Sequence, residues 1–241
     1  MLTLEDLREF TKKFNAVEKN VVREYVQHLF LSNLYISKEA HKLYFKGGTA
    51  LKLIYQSPRF SEDLDFTGHL YRHNEIDELL LKTLVEVERI GLSISLKEAK
   101  TTSGGYLGII HYQLYDFVGN MNIEISLRSP KRSKSEVVTI INDFTIPYSI
   151  TQLSAKELVQ EKIQATLRRG KPRDFYDIYF VLRSNLPIDK KNLELGRVLH
   201  KLESMKIDFR KELMVLLPRS HHMILKDFKS KLRNEIKRHG F

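Results

Sequence analysis

Apolar positions recur every three or four residues through LTLEDLREFTKKF (2–14) and again through AVEKNVVREYVQHLFLSNLY (16–35). That spacing predicts helices with one buried face. Thr3, with Asp6 three residues on, predicts the N-cap of the first helix. The pattern then shortens. KLYFKGG (42–48) reads as a short strand ending in glycines, and TALKLIYQ (49–56) as a helix with Thr49 at its N-cap. SEDLDFTG (61–68) alternates as a strand does, and HNEIDELLLKTLVEVERIG (73–91) returns to a helical period that ends at Gly91. LSISLKE (92–98), GYLGIIHYQLY (105–115), MNIEISLR (121–128) and VVTIINDF (137–144) are further strand candidates.

From Ser154 the texture becomes wholly helical. SAKELVQEKIQATLRRG (154–170), RDFYDIYFVLRSN (173–185), KKNLELGRVLHKLES (190–204) and RKELMVLLPRS (210–220) carry the 3.6-residue period. A basic helix is expected over MILKDFKSKLRNEIKRHG (223–240). The expected organisation is therefore α+β: residues 1–150 as a mixed sheet with flanking helices, and residues 151–241 as a helical C-terminal domain.

Composition narrows the setting. Hydrophobic residues make up 42% of the 241, which is globular, and there is no cysteine. Disulfides and thiolate metal sites are excluded, and a reducing cytoplasm is the expected location. The N-terminal residues include acidic side chains and no apolar core of a signal peptide. No run of about 18 apolar residues predicts a membrane span, so no membrane partner is expected. The net charge of +10 favours a polyanionic partner such as nucleic acid or nucleotide. The basic loop SPKRSKSE (129–136) and the basic last helix are candidates for tracking an RNA backbone.

Chemistry concentrates in KGGTALKLIYQSPRFSEDLDF (46–66). On a strand, Asp63 and Asp65 share a face, with Leu64 turned to the core. Two adjacent carboxylates are comfortable around a cation or in water. Hard oxygen donors suit Mg²⁺, which is usually held by one or two carboxylates together with substrate phosphates. Gly47, Gly48 and Thr49 lie between a strand and a helix, where backbone N–H groups can approach an anion. Together the two motifs describe a nucleoside triphosphate site, with Lys52 one turn further into the helix.

These residues carry a resemblance. GGTAL followed by RFSEDLDF resembles the nucleotidyltransferase core of the DNA polymerase β superfamily, and more narrowly the AbiEii family of nucleotidyltransferase-like toxins. Thr49 stands where the superfamily has a serine, and thirteen residues separate it from Asp63. Both departures suit the AbiEii-like branch. The resemblance implies a third carboxylate on a later strand, and Glu124, flanked by Ile123 and Ile125, is the candidate. Two roles are open for it: base toward an attacking hydroxyl, or third metal ligand.

A second constellation is EKIQATLRRGKPRDFYDIYFVL (161–182). Lys162 lies on a helix, Arg168, Arg169, Lys171 and Arg173 gather at a turn, and Asp174 and Asp177 follow at i and i+3. AbiEii-like sequences carry a similar lysine helix and turn. Lys162 suits triphosphate oxygens. Asp174 and Asp177 fit three roles: positioning Lys162, binding the nucleotide sugar, or capping the helix. Arg59 is expected to pair with a carboxylate.

The mechanism implied is nucleotidyl transfer. Gly47 to Thr49 and Lys162 receive the triphosphate, and two Mg²⁺ ions at Asp63 and Asp65 carry an in-line displacement. The resemblance further implies a toxin of a type IV toxin–antitoxin system, a cognate antitoxin, and an RNA acceptor such as a tRNA 3′ end. A protein or small-molecule acceptor, or a non-catalytic nucleotide- or RNA-binding module, are the alternatives.

Overall fold

The computed structural model describes residues 1–69, 72–127, 133–188 and 194–240. Residues 129–132 of the expected basic loop lie outside the described residues, as do Arg128 and residues 190–193 of two expected elements. The chain divides into two units. The first comprises Met1–Gln56 and Phe60–Leu153, and the second Ser57–Arg59 and Ser154–Phe241.

The first unit opens with helices α1 (Leu4–Lys13) and α2 (Glu18–Leu34). At α1 the capping box forms as expected: Asp6 N donates to Thr3 Oγ1 at 3.1 Å, and Thr3 N to Asp6 Oδ2 at 2.7 Å. Strand β1 (Leu43–Lys46), helix α3 (Gly47–Leu53), strand β2 (Leu64–Gly68) and helix α4 (His73–Arg89) follow. Helix α4 buries Ile76, Leu80 and Val87, the helical stripe its sequence predicts. Strands β3 (Ser93–Thr102), β4 (Gly105–Leu114) and β5 (Phe117–Ser126) form an antiparallel meander, and β6 (Ser135–Ile140) and β7 (Tyr148–Leu153) complete the sheet.

The seven strands lie in the order β3-β4-β5-β2-β1-β7-β6. Strand β2 runs parallel to β5 and antiparallel to β1, and β1 runs parallel to β7, so the sheet is mixed as expected.

Two expectations needed correction, and one strand was not expected. Helix α3 begins at Gly47, so Thr49 is inside the helix and is not its N-cap. Strand β7 was not among the expected strands: Tyr148 and Ile150 alternate with Ser149 and Thr151, but the pattern stops at Gln152. Its polar positions are buried through distant partners: Gln152 bonds Tyr55 Oη and Glu136, and Thr151 Oγ1 lies 3.0 Å from His41 Nδ1. The last expected helix is broken. Residues 219–225 form a 3₁₀ turn, Asp227 takes a left-handed φ of 61°, and the α-helix runs only over Phe228–Arg238.

The second unit consists of α5 (Ala155–Arg168), α6 (Pro172–Arg183), α7 (Glu194–Ser204), α8 (Phe209–Leu216) and α9 (Phe228–Arg238). Its core is aromatic: the rings of Phe209 and Phe228 lie 4.9 Å apart and those of Tyr179 and Phe228 5.4 Å apart, with Phe175 beside them. Among the described residues no helix is long and apolar enough to cross a membrane.

Candidate active site

The register of three neighbouring strands builds the site. Lys46 on β1 stands opposite Asp65 on β2, and Asp65 stands opposite Glu124 on β5. Leu64, Phe66, Ile123 and Ile125 are buried, which turns the alternate residues Asp65 and Glu124 to the other face of the sheet. Asp65 is half-buried and Glu124 exposed. Lys46, Asp65, Thr102, Tyr106, Glu124 and Ser126 help line a cleft of about 410 Å³. Tyr106 Oη donates to Asp77 at 2.6 Å. Burial first, and then Asp77, push its phenol up, so it stays protonated.

Gly47 is demanded twice. Its φ of +84° lies in the left-handed region that favours glycine, and a Cβ there would stand 2.0 Å from Asp65 Oδ2. The glycine turn and the second aspartate are therefore in close apposition, which explains why one chain carries both. Gly48 and Thr49 are buried. The Thr49 hydroxyl donates to the main-chain carbonyl of Asp63, so it ties α3 to the approach of β2. Asp63 sits one residue before β2 and is half-buried.

Among the described residues there is no group of three or more His, Asp or Glu side chains arranged to hold a metal ion. The donor chemistry still fits Mg²⁺, whose sites typically need only one or two carboxylates plus phosphate oxygens and water. Lys52 does not line the cleft. Its ammonium lies 3.5 Å from Glu24 Oε2 and 4.4 Å over the Phe60 ring, beside a separate cavity of about 250 Å³.

The second unit contains Lys162, Asp174 and Asp177. Asp177 is 1% exposed, and its oxygens accept from Arg59 Nε at 2.8 Å, Arg59 Nη2 at 3.0 Å and Lys162 Nζ at 2.8 Å. Burial alone would push its carboxyl up. Arg59 and then Lys162 outweigh burial and hold it below the ordinary aspartate value. Two cations share this one carboxylate. Asp174 accepts from Lys171 N at 3.1 Å and Arg169 Nη2 at 2.8 Å, so it caps the start of α6. In α9, Arg233 forms a bidentate pair with Glu203, and Lys229 and Lys231 donate to main-chain carbonyls, so much of this basic helix is engaged within its own unit.

Lys46 lines the cleft although no motif of the sequence singles it out. Its position immediately before the two glycines was the available signal, but pairing with Asp65 depends on strand register. No local motif marks Thr102, Tyr106 or Ser126.

Similarity to known proteins bears on the family and the fold. The family described as "Nucleotidyl transferase AbiEii toxin, Type IV TA system" matches residues 29–241. No curated protein matches the chain in sequence. Among solved structures, JHP933 from Helicobacter pylori is similar with a TM-score of 0.62 at 21% identity, covering 93% of this chain and 93% of its own. MenT4, a nucleotidyltransferase toxin from Mycobacterium tuberculosis H37Rv, is similar with a TM-score of 0.65 at 18% identity, covering 98% of this chain and 89% of its own. At these identities the two structures establish a shared fold.

Proposed function

Because the chain belongs to the AbiEii family of nucleotidyl transferase toxins of type IV toxin–antitoxin systems, we propose that it moves a nucleoside monophosphate from a nucleoside triphosphate to an RNA end. The observation that supports this most is the apposition of Gly47 to Asp65, with Glu124 in register beside it. Asp63, Asp65 and Glu124 are the carboxylates of the reaction. Gly47 and Gly48 present backbone N–H groups to the triphosphate. A divalent cation such as Mg²⁺, held by Asp63 and Asp65, would when bound supply Lewis-acid stabilisation to the transferring phosphoryl group.

The acceptor hydroxyl oxygen attacks the α-phosphorus. The bond from that phosphorus to the α,β-bridging oxygen breaks, pyrophosphate leaves, and Glu124 takes the hydroxyl proton. Lys162 belongs to the reading through charge. Its ammonium is a compact point charge of the kind that suits triphosphate oxygens. Thr49, Asp174 and Asp177 act by holding these groups in place. An RNA acceptor, with a tRNA 3′ end as the first candidate, accords with the net charge of +10. A cognate antitoxin is the partner the family implies.

The test is label transfer. The purified protein with Mg²⁺ and each α-³²P nucleoside triphosphate in turn is incubated with total cellular RNA, with Asp65→Ala beside it. Label on a discrete RNA band that vanishes in the variant is the expected result. Label on protein alone would move the acceptor away from RNA, and nucleotide binding without any transfer would overturn the enzymatic reading.

A further inference from the structure

Lys46, Asp65 and Glu124 form one row across β1, β2 and β5, each the direct cross-strand neighbour of the next. On an antiparallel pair such as β1 and β2, side chains directly opposite have Cβ atoms about 4.5–5.5 Å apart, which sets the reach from Lys46 to Asp65. All three residues line the same cleft. Lys46 is also the residue immediately before Gly47, where the left-handed turn and the Asp65 carboxylate meet. The row thus sets one cation beside two anions in the cleft.

We propose that Lys46 is a positioning residue of the transfer site. It supplies the counter-charge to Asp65 when nucleotide is absent, and it restricts the carboxylates to a single divalent cation. The inference rests on the reading of Asp63, Asp65 and Glu124 as the reaction's carboxylates. Charge balance argues for it. Lys46 already offsets one of the two negative charges that Asp65 and Glu124 bring to the cleft, and one divalent ion more than covers the other. Two divalent ions beside Lys46 would leave the nucleotide-free site over-compensated. A further ion in the working complex would then enter with the triphosphate, whose oxygens complete its shell. The ammonium repels a divalent cation across a few ångströms and so weakens metal binding to the empty enzyme.

The experiment is Mn²⁺ titration of the full chain without nucleotide, read by electron paramagnetic resonance of the free ion. The wild type is expected to bind one Mn²⁺ at this site, and Asp65→Asn to lose it. Lys46→Met and Lys46→Gln, two neutral variants, are expected to bind Mn²⁺ about tenfold more tightly, the size of one unscreened charge at this range. Lys46→Arg should restore the wild-type affinity. A lysine serving only as strand packing would not tighten metal binding when removed. Unchanged or weaker Mn²⁺ affinity in the neutral variants, with Asp65→Asn still abolishing it, would overturn the role of Lys46, as would two Mn²⁺ ions in the wild type. Mn²⁺ binding indifferent to Asp65→Asn would instead bring down the carboxylate reading and the inference with it.

Discussion

Asp65 and Asp177 are the same side chain in opposite surroundings. Asp65 is half-buried at the edge of a cleft, between Lys46 and Glu124 and against a glycine that leaves its carboxylate room. Asp177 is sealed among helices, with Arg59 and Lys162 donating to its oxygens. The first is accessible to a ligand. The second is occupied in holding two buried cations, whose charge would be costly to leave without a partner. Removing an open carboxylate should therefore cost chemistry, and removing a closed one should cost stability.

The sharpest test sets the two aspartates side by side. Asp65→Ala should lower nucleotidyl transfer on the order of 10⁴-fold while leaving the melting temperature nearly unchanged, because charge stabilisation at the reacting centre is lost and little packing is. Asp177→Ala should cost about 3–5 kcal/mol in urea unfolding, since it strands Arg59 and Lys162 in the interior. A stable Asp177→Ala protein would erase the distinction between the two sites.

Gly47→Ala comes next. The added methyl group must displace the Asp65 carboxylate and force alanine into a left-handed backbone. A displacement of about 1 Å at a reacting group is enough for a loss of roughly 100-fold in kcat. Steady-state kinetics on the folded variant measures it, and wild-type turnover would mean that the turn and the carboxylate act independently.

Acid sensitivity tests a buried group in the first unit. His28 is buried with Nδ1 2.8 Å from Tyr148 Oη, and burial first, then Lys52, lower its pKa from 6.5 to about 3. Between those values the unfolded chain carries a proton on His28 that the native chain does not. Stability should therefore fall as pH drops below 6.5, by at most about 1.4 kcal/mol per pH unit, and be flat above it. The sign at Asp177 is the same but the window is lower. Its folded pKa lies below 3.8, so its contribution is complete above 3.8 and is lost as pH falls through the folded value. Urea unfolding from pH 7 to pH 4 should show the first slope in the wild type and not in His28→Phe.

Much of this was legible along the chain. The helix stripes, the meander strands, the two aspartates around Leu64, the glycine turn and the polar position of Glu124 each leave a local mark, a period or a breaker residue. Strand β7 left only a four-residue alternation, because Thr151 and Gln152 are buried through distant partners such as His41 and Tyr55. Thr49 looked like a helix cap because a threonine after glycines has that form, yet its hydroxyl reaches the carbonyl of Asp63. Lys52 looked equally able to face phosphate until Glu24 and Phe60 claimed its ammonium.

The chain alone determined which residue types were available for the chemistry and that Asp63, Asp65 and the glycines stood close in order. Side-chain alternation and glycine's backbone freedom act over a few residues, so both can be read locally. Only the tertiary structure decided that Lys46 stands against Asp65, Asp65 against Glu124, and Lys162 with Arg59 against Asp177. Those pairings join segments many residues apart, and strand register and helix packing, which no local pattern encodes, select them by burying the apolar faces on either side.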